Sequence, residues 1–208
     1  MVKNAYSIKA TVSWLLKMGL LAAIPYSLYV GDYLFVFAAL SAVTISLLPA
    51  YWYRRFRVIL PFSLDLFITM ALFLHVFFGE ILRYYDHHWY FDKLMHFYGT
   101  GLIALIAFVT IFTFHWSSKI VLSLPLIAYF TIVFAVAIGT FWEMGEFAID
   151  KIFGRNTQYS LENTMWDLVL NLIGGIVAAC FGSWYVGKQK KKGLDRLTSS
   201  IQTLFESP

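Results

Sequence analysis

Cysteine is almost absent from this chain, and charge is scarce. The single cysteine, Cys180, excludes an intrachain disulfide and stands in an apolar stretch, where it reads as a small core or lipid-facing residue. Charged residues make up 13% of the 208 positions against 60% hydrophobic ones, with a mean hydropathy of +0.68. A soluble domain carries about twice that charge, so no soluble domain of useful size fits. Several catalytic signatures are also missing: there is no Gly-x-Ser-x-Gly, no HExxH, no P-loop and no CxxC. No repeat, low-complexity tract or domain boundary is visible. The first hydrophobic block starts near Ala10 and runs about 20 residues with no small-residue cleavage site after it, so it reads as a span and not as a cleavable signal peptide.

What is present in abundance is long apolar runs. They predict an all-α polytopic membrane protein, a bundle of six transmembrane helices. The expected spans are residues 10–30, 33–53, 58–82, 91–114, 120–143 and 164–186, the fifth continuing as helix past the membrane to Ile152. Residues 1–193 form the membrane domain, and 194–208 a short tail in which Leu194, Leu197, Ile201, Leu204 and Phe205 predict an amphipathic helix.

Basic residues set the expected orientation. Lys3, Lys9, Lys17, Arg54, Arg55, Arg57, Lys119, Lys188, Lys190, Lys191, Lys192 and Arg196 fall on the side of the termini, and Arg83, Lys93, Lys151 and Arg155 on the other. That asymmetry predicts cytoplasmic termini. It also accounts for the net charge of +4 and the pI near 9.1 without nucleic acid. Lys17 lies inside the first span, within snorkelling reach of the inner surface.

Nine of the twelve acidic residues then gather at the extracytoplasmic ends of the spans: Asp32, Glu80, Asp86, Asp92, Glu143, Glu146, Asp150, Glu162 and Asp167. Tyr84, Tyr85, Trp89, Tyr90, Trp142, Tyr159 and Trp166 fall at the same level and read as an interfacial aromatic belt. An ionisable side chain at a helix centre costs about 2.5–3.5 kcal/mol on insertion scales, and less near the interface. A whole layer of them implies a polar site.

Helical spacing gives that layer a form. Asp92 and His96 share one face of the fourth span at i, i+4. Gly139, Glu143, Glu146 and Asp150 form one stripe on the fifth. Asp167 and Asn171 are one turn apart on the sixth, followed by Gly174 and Gly175, which permit close helix packing. The third span adds Glu80, with His75 about one and a half turns deeper. Turned inward, these stripes make a cup of carboxylates with His96 near its base. Asp, Glu and His are ligands for divalent metals, with zinc, manganese or iron as candidates. They also serve as general acids and bases. The expected metal ligands are Asp92, His96, Glu143, Glu146 and Asp167. Catalytic roles fall to Glu143, Glu146, Asp92 and His96, with Glu80, Asp150, Asn171 and Gln158 in support. Hydrogen bonding that merely holds helices together is the plainer alternative, with Asp92 paired to Lys93 or Arg83, and Asp150 to Lys151 or Arg155. Asp65 and His75 read as structural, or as steps of a proton path.

The ordered string Asp92-Lys93-Leu94-x-His96-Phe97, Gly99 or Gly101, Glu143-x-x-Glu146, Gln158 and Trp166-Asp167-x-x-x-Asn171-x-x-Gly174 resembles the YjdF-type family of small bacterial membrane proteins and the broader VanZ-like group. The resemblance covers about residues 79–178. It departs at Gln158-Tyr159-Ser160, where the YjdF-type pattern has Gln-Gly-Asp, and at Glu146, where the VanZ-like pattern has glutamine. It implies a common bundle, and through the VanZ-like group a place at the cell envelope and in antibiotic resistance.

Three functions compete on these grounds. One is a metal-dependent hydrolase or transferase acting on a lipid-linked or head-group substrate. Another is proton-coupled binding or transport of a cation. The third is a non-catalytic envelope or resistance accessory protein. Membrane lipids are the expected surroundings; the sequence fixes neither the oligomeric state nor a protein partner.

Overall fold

The computed structural model describes residues 2–56, 63–117 and 119–206. Arg57 and the expected start of the third span, residues 58–62, lie outside the described residues. Every regular element among those described is helical: α1 (Val2–Val30), α2 (Tyr33–Phe56), α3 (Leu64–Phe73) with a π-helical continuation (Leu74–Ile81), α4 (Tyr84–His87), α5 (Trp89–Trp116), α6 (Leu124–Phe153), α7 (Leu161–Lys188) and α8 (Lys191–Glu206). Six helices are long and apolar enough to cross a membrane: Ile8–Val30, Tyr33–Trp52, Leu64–Ile81, Trp89–Trp116, Leu124–Phe153 and Leu161–Lys188.

Local chemistry explains the helix ends. Pro125 sits in the first turn of α6, where its missing N–H costs nothing, so the helix begins at Leu124 and not at Ile120. Gly154 closes α6 in the left-handed region at φ +66. The Ser160 hydroxyl accepts the Asn163 N–H at 3.1 Å and starts α7 a few residues earlier than hydropathy alone placed it.

The chain divides into two compact units, Met1–Phe91 and Asp92–Pro208. In the N-terminal unit α1, α2 and α3 with its π continuation enclose Leu20, Ala23, Ala39, Ala42 and Val76. Lys17 does not snorkel. It is 4% exposed and its Nζ lies 2.9 Å from Asp65 Oδ1 and 3.0 Å from Ser13 Oγ, while Ser13 donates to Asp65 Oδ2 at 2.8 Å. An ammonium in the middle of an apolar helix finds a nearby carboxylate before it finds water.

His75 also has a local partner: its Nδ1 is 2.6 Å from the Tyr85 hydroxyl. It lies in the π-helical stretch, where Leu82 N–H bonds to Phe77 O at 3.0 Å across five residues, so the α-helical phase that set it below Glu80 does not apply there. Glu80 is exposed on this unit. Tyr84 and Tyr85 pack edge-on against Phe91 and are half-buried, whereas Trp89 of the expected belt is exposed.

In the C-terminal unit α5, α6 and α7 meet over a core of small residues, Ala104, Ala135 and Ala178. Small side chains let the backbones close in. At Gly174 a Cβ would stand 2.6 Å from the Phe97 carbonyl oxygen. The expected amphipathic helix is present as α8. It buries Leu194, Leu197 and Thr198, and Trp116 Nε1–H donates to Asp195 Oδ1 at 2.9 Å, so the tail is docked on its unit. Cys180 is exposed on its unit.

Candidate functional site: a carboxylate layer divided in two

One end of the C-terminal unit gathers the first turns of α5, the last turns of α6 and the first turns of α7. His96 is its centre. It belongs to two overlapping sets whose ligand atoms all lie within 4.8 Å of one another: Asp92, His96 and Asp167, and His96, Glu143 and Glu146. All five side chains named from the sequence as metal ligands are thus brought together. His96, Glu143 and Asp167 are 7%, 4% and 0% exposed.

The two halves differ in how their charge is met. On the α5–α7 side the Lys93 ammonium lies 3.3 Å from Asp92 Oδ2, 3.0 Å from Asp167 Oδ1 and 3.2 Å from Asp167 Oδ2, and donates to Asn163 Oδ1 at 2.5 Å. The Asn163 amide donates in turn to Asp92 Oδ2 at 2.9 Å and Asp167 Oδ2 at 2.6 Å. Two carboxylates, one ammonium and one amide form this network, in which Asp167 Oδ1 meets the ammonium as an ion pair without a well-formed hydrogen bond. The sequence suggested an Asp92–Lys93 pair, but not that Lys93 would reach across to the other helix.

On the α6 side no lysine or arginine plays that part among the described residues; the group there that can carry positive charge is His96, whose Nε2 stands 3.4 Å from Glu143 Oε1. Neither Glu143 oxygen has a partner of good hydrogen-bond geometry, with the Thr164 hydroxyl nearby. Glu146 is half-buried and accepts one bond, from Trp142 Nε1–H at 2.8 Å. A buried carboxylate left in this state is costly unless something else meets its charge.

His96 is oriented from behind. Its Nδ1 is 3.3 Å from Asn171 Oδ1, which also accepts from the Thr100 hydroxyl at 2.6 Å. An amide oxygen only accepts, so Nδ1 carries a proton, and Nε2 faces Asp92 Oδ1 at 3.5 Å and Glu143 Oε1 at 3.4 Å. Between two carboxylates Nε2 either holds a second ring proton, as an imidazolium, or presents its lone pair to an ion. Asn171 reaches this position because residue 139 is glycine: a Cβ there would stand 2.5 Å from Asn171 Nδ2.

The supporting residues sort differently. Asp150 accepts from Thr157 N–H and Oγ1–H, both at 2.7 Å, and from Gln158 N–H at 3.1 Å. Gln158 Nε2 donates to the Glu143 backbone carbonyl at 3.2 Å. Both therefore fasten the α6–α7 loop onto the end of α6. Asp150 shares the helical stripe of Glu143 and Glu146, but its carboxylate is filled by the loop. Glu80 belongs to the N-terminal unit.

Sequence reasoning passed over Asn163 and Thr100. Each left a signal: Thr100 continues the Asp92–His96 spacing by another four residues, and Asn163 stands four before Asp167.

Among known proteins, residues 12–188 match the family described as "Predicted membrane protein (DUF2238)". An uncharacterized protein of Thermotoga maritima is 32% identical over 135 residues, which span 64% of this chain and 66% of that protein. No solved structure matches the chain. With most of its length covered, including every helix of the carboxylate layer, the chain belongs to the DUF2238 family of membrane proteins.

Proposed function

We propose that the chain is a metal-dependent membrane enzyme whose ion is held by His96, Glu143 and Glu146, acting on a lipid-linked or head-group substrate of the cell envelope. The observation that carries the reading is Glu143: 4% exposed, without a well-formed hydrogen bond among the described residues, and facing Nε2 of His96 at 3.4 Å. At metal–ligand distances of about 2.1 Å, a tetrahedral ion holds two donors roughly 3.4 Å apart, close to the His96–Glu143 separation. Asn171 behind the imidazole has the outer-shell role usual for metal-bound histidine. One imidazole and two carboxylates suit zinc, manganese or iron(II).

The ion would activate water or polarise a phosphoryl or carbonyl oxygen. One carboxylate of the layer left outside the ligand set would act as base. Exposed Trp142 and Trp166 beside the layer suit a substrate that arrives laterally from the lipid. The layer faces the extracytoplasmic side of the plasma membrane, by the distribution of basic residues. The resemblance to YjdF-type and VanZ-like chains agrees with an envelope role.

The test is turnover of an envelope-lipid extract by purified protein, together with complementation in cells. We expect a metal-dependent product that disappears in His96→Ala and Glu143→Gln. Metal-free protein whose variants keep full activity in cells would end this reading.

A further inference from the structure

We infer that Lys93 is a built-in cation filling a second ion position, so that the layer takes one exchangeable divalent ion where its carboxylates would otherwise take two. The inference rests on the metal reading above and deepens it, by fixing the number of ions and their place.

The observations concern what surrounds the ammonium. Four oxygens converge on Lys93 Nζ: Asp92 Oδ2, Asn163 Oδ1 and both oxygens of Asp167, at 2.5–3.3 Å. They come from two helices, and Asp167 is fully buried. Two carboxylates and an amide carbonyl are the donors of a hard-cation site. Asn163 turns its oxygen toward the ammonium and its N–H groups toward Asp92 and Asp167. Lys93 thus meets three acceptor residues with its three N–H donors and has none left for a substrate.

The neighbouring position has the same kind of walls, but the group facing its carboxylates is an imidazole, which can exchange its Nε2 proton for an ion, and not a tethered ammonium. Asp92 Oδ1 and Glu143 Oε1 flank His96 Nε2, with Glu146 in the same set. Asp92 touches both positions, offering Oδ2 to Lys93 and Oδ1 to His96. Adjacent cation positions bridged by one carboxylate are the framework of two-metal catalytic sites. Here one of the two charges is covalently tethered. It neither dissociates nor carries a water to be activated. The chemistry left to the site is that of a single ion, with Lys93 fixing Asp92 and joining α5 to α7.

The experiment counts manganese bound per chain after equilibrium dialysis, for the wild type, Lys93→Ala and Lys93→Arg, in detergent. Manganese accepts both the imidazole–carboxylate and the all-oxygen donor sets. Alanine removes the ammonium and leaves room for an ion. We expect one manganese in the wild type and in Lys93→Arg, and two in Lys93→Ala. Electron paramagnetic resonance should show the two as an exchange-coupled pair. Two ions in the wild type, or one in both wild type and Lys93→Ala, would overturn the inference while leaving a metal site in place. No manganese, zinc or iron in the wild type would instead overturn the metal reading itself. Should Lys93→Ala fail to fold, Lys93→Ala with Asp167→Asn removes the excess charge as well. That variant should hold one ion, and two ions there would contradict the assignment of Asp167 to the second position.

Discussion

His96 and Asn171 are joined through the imidazole Nδ1 and the amide Oδ1 at 3.3 Å, and that single relationship decides which ring nitrogen faces the carboxylates. Without it the imidazole is free to present either nitrogen to Asp92 and Glu143. With it, Nε2 points into the α6 half of the layer, between Asp92 and Glu143, where a ring proton or an ion meets them.

The gap that admits Asn171 is therefore a sensitive point. Gly139→Ala places a methyl 2.5 Å from the Asn171 amide nitrogen, so the side chain has to swing away from His96. We expect metal affinity to fall by about tenfold to a hundredfold, the usual effect of losing an outer-shell partner. Isothermal titration with manganese or zinc, beside a thermal melt to confirm folding, checks this.

Helix packing in the same unit makes a different prediction. A Cβ at residue 174 would stand 2.6 Å from the Phe97 carbonyl oxygen, which is backbone and has no rotamer to yield. Gly174→Ala should destabilise by about 1–3 kcal/mol as an overpacking change. It should lower the thermal midpoint and weaken metal binding together, because Phe97 adjoins His96.

In the N-terminal unit Lys17 and Asp65 form an ion pair whose removal one side at a time leaves a charge without its partner. Lys17→Met and Asp65→Asn should each cost about 1–3 kcal/mol, and the double variant less than their sum. A double-mutant cycle on thermal or denaturant unfolding measures the coupling. Metal content should not change in any of the three. If it does, the pair serves the site and is not merely structural.

Asp150 separates the loop fastening from the ion site. Its oxygens accept from Thr157 and Gln158. Asp150→Asn should speed hydrogen exchange and proteolysis across residues 154–160 while leaving bound metal near the wild-type level. Loss of the ion in this variant would move Asp150 into the ligand set.

Helical phase made much of this layer legible in the sequence. Asp92 with His96, Glu143 with Glu146, and Asp167 with Asn171 are each one turn apart on an inward stripe, and the structure brings these stripes together. Phase says nothing of partners distant along the chain, so the contacts of Lys17 with Asp65 and of Lys93 with Asn163 and Asp167 were out of reach. Phase set Asp150 on the stripe of Glu143 and Glu146 but could not show that the returning loop supplies its donors. At His75 the structural reading fits the Tyr85 contact, while the π-helical stretch from Leu74 to Ile81 winds with a period that α-helical spacing does not describe.

The central claim is that a metal ion answers the buried Glu143 and the Nε2 of His96 that faces it. Its most direct test is the elemental content of protein purified in detergent without chelators, by plasma mass spectrometry, for wild type, His96→Ala and Glu143→Gln, with thermal melts establishing that each is folded. The account predicts near-stoichiometric zinc, manganese or iron in the wild type and its loss from both folded variants. Wild-type protein free of these metals, or variants that retain them in full, would contradict it.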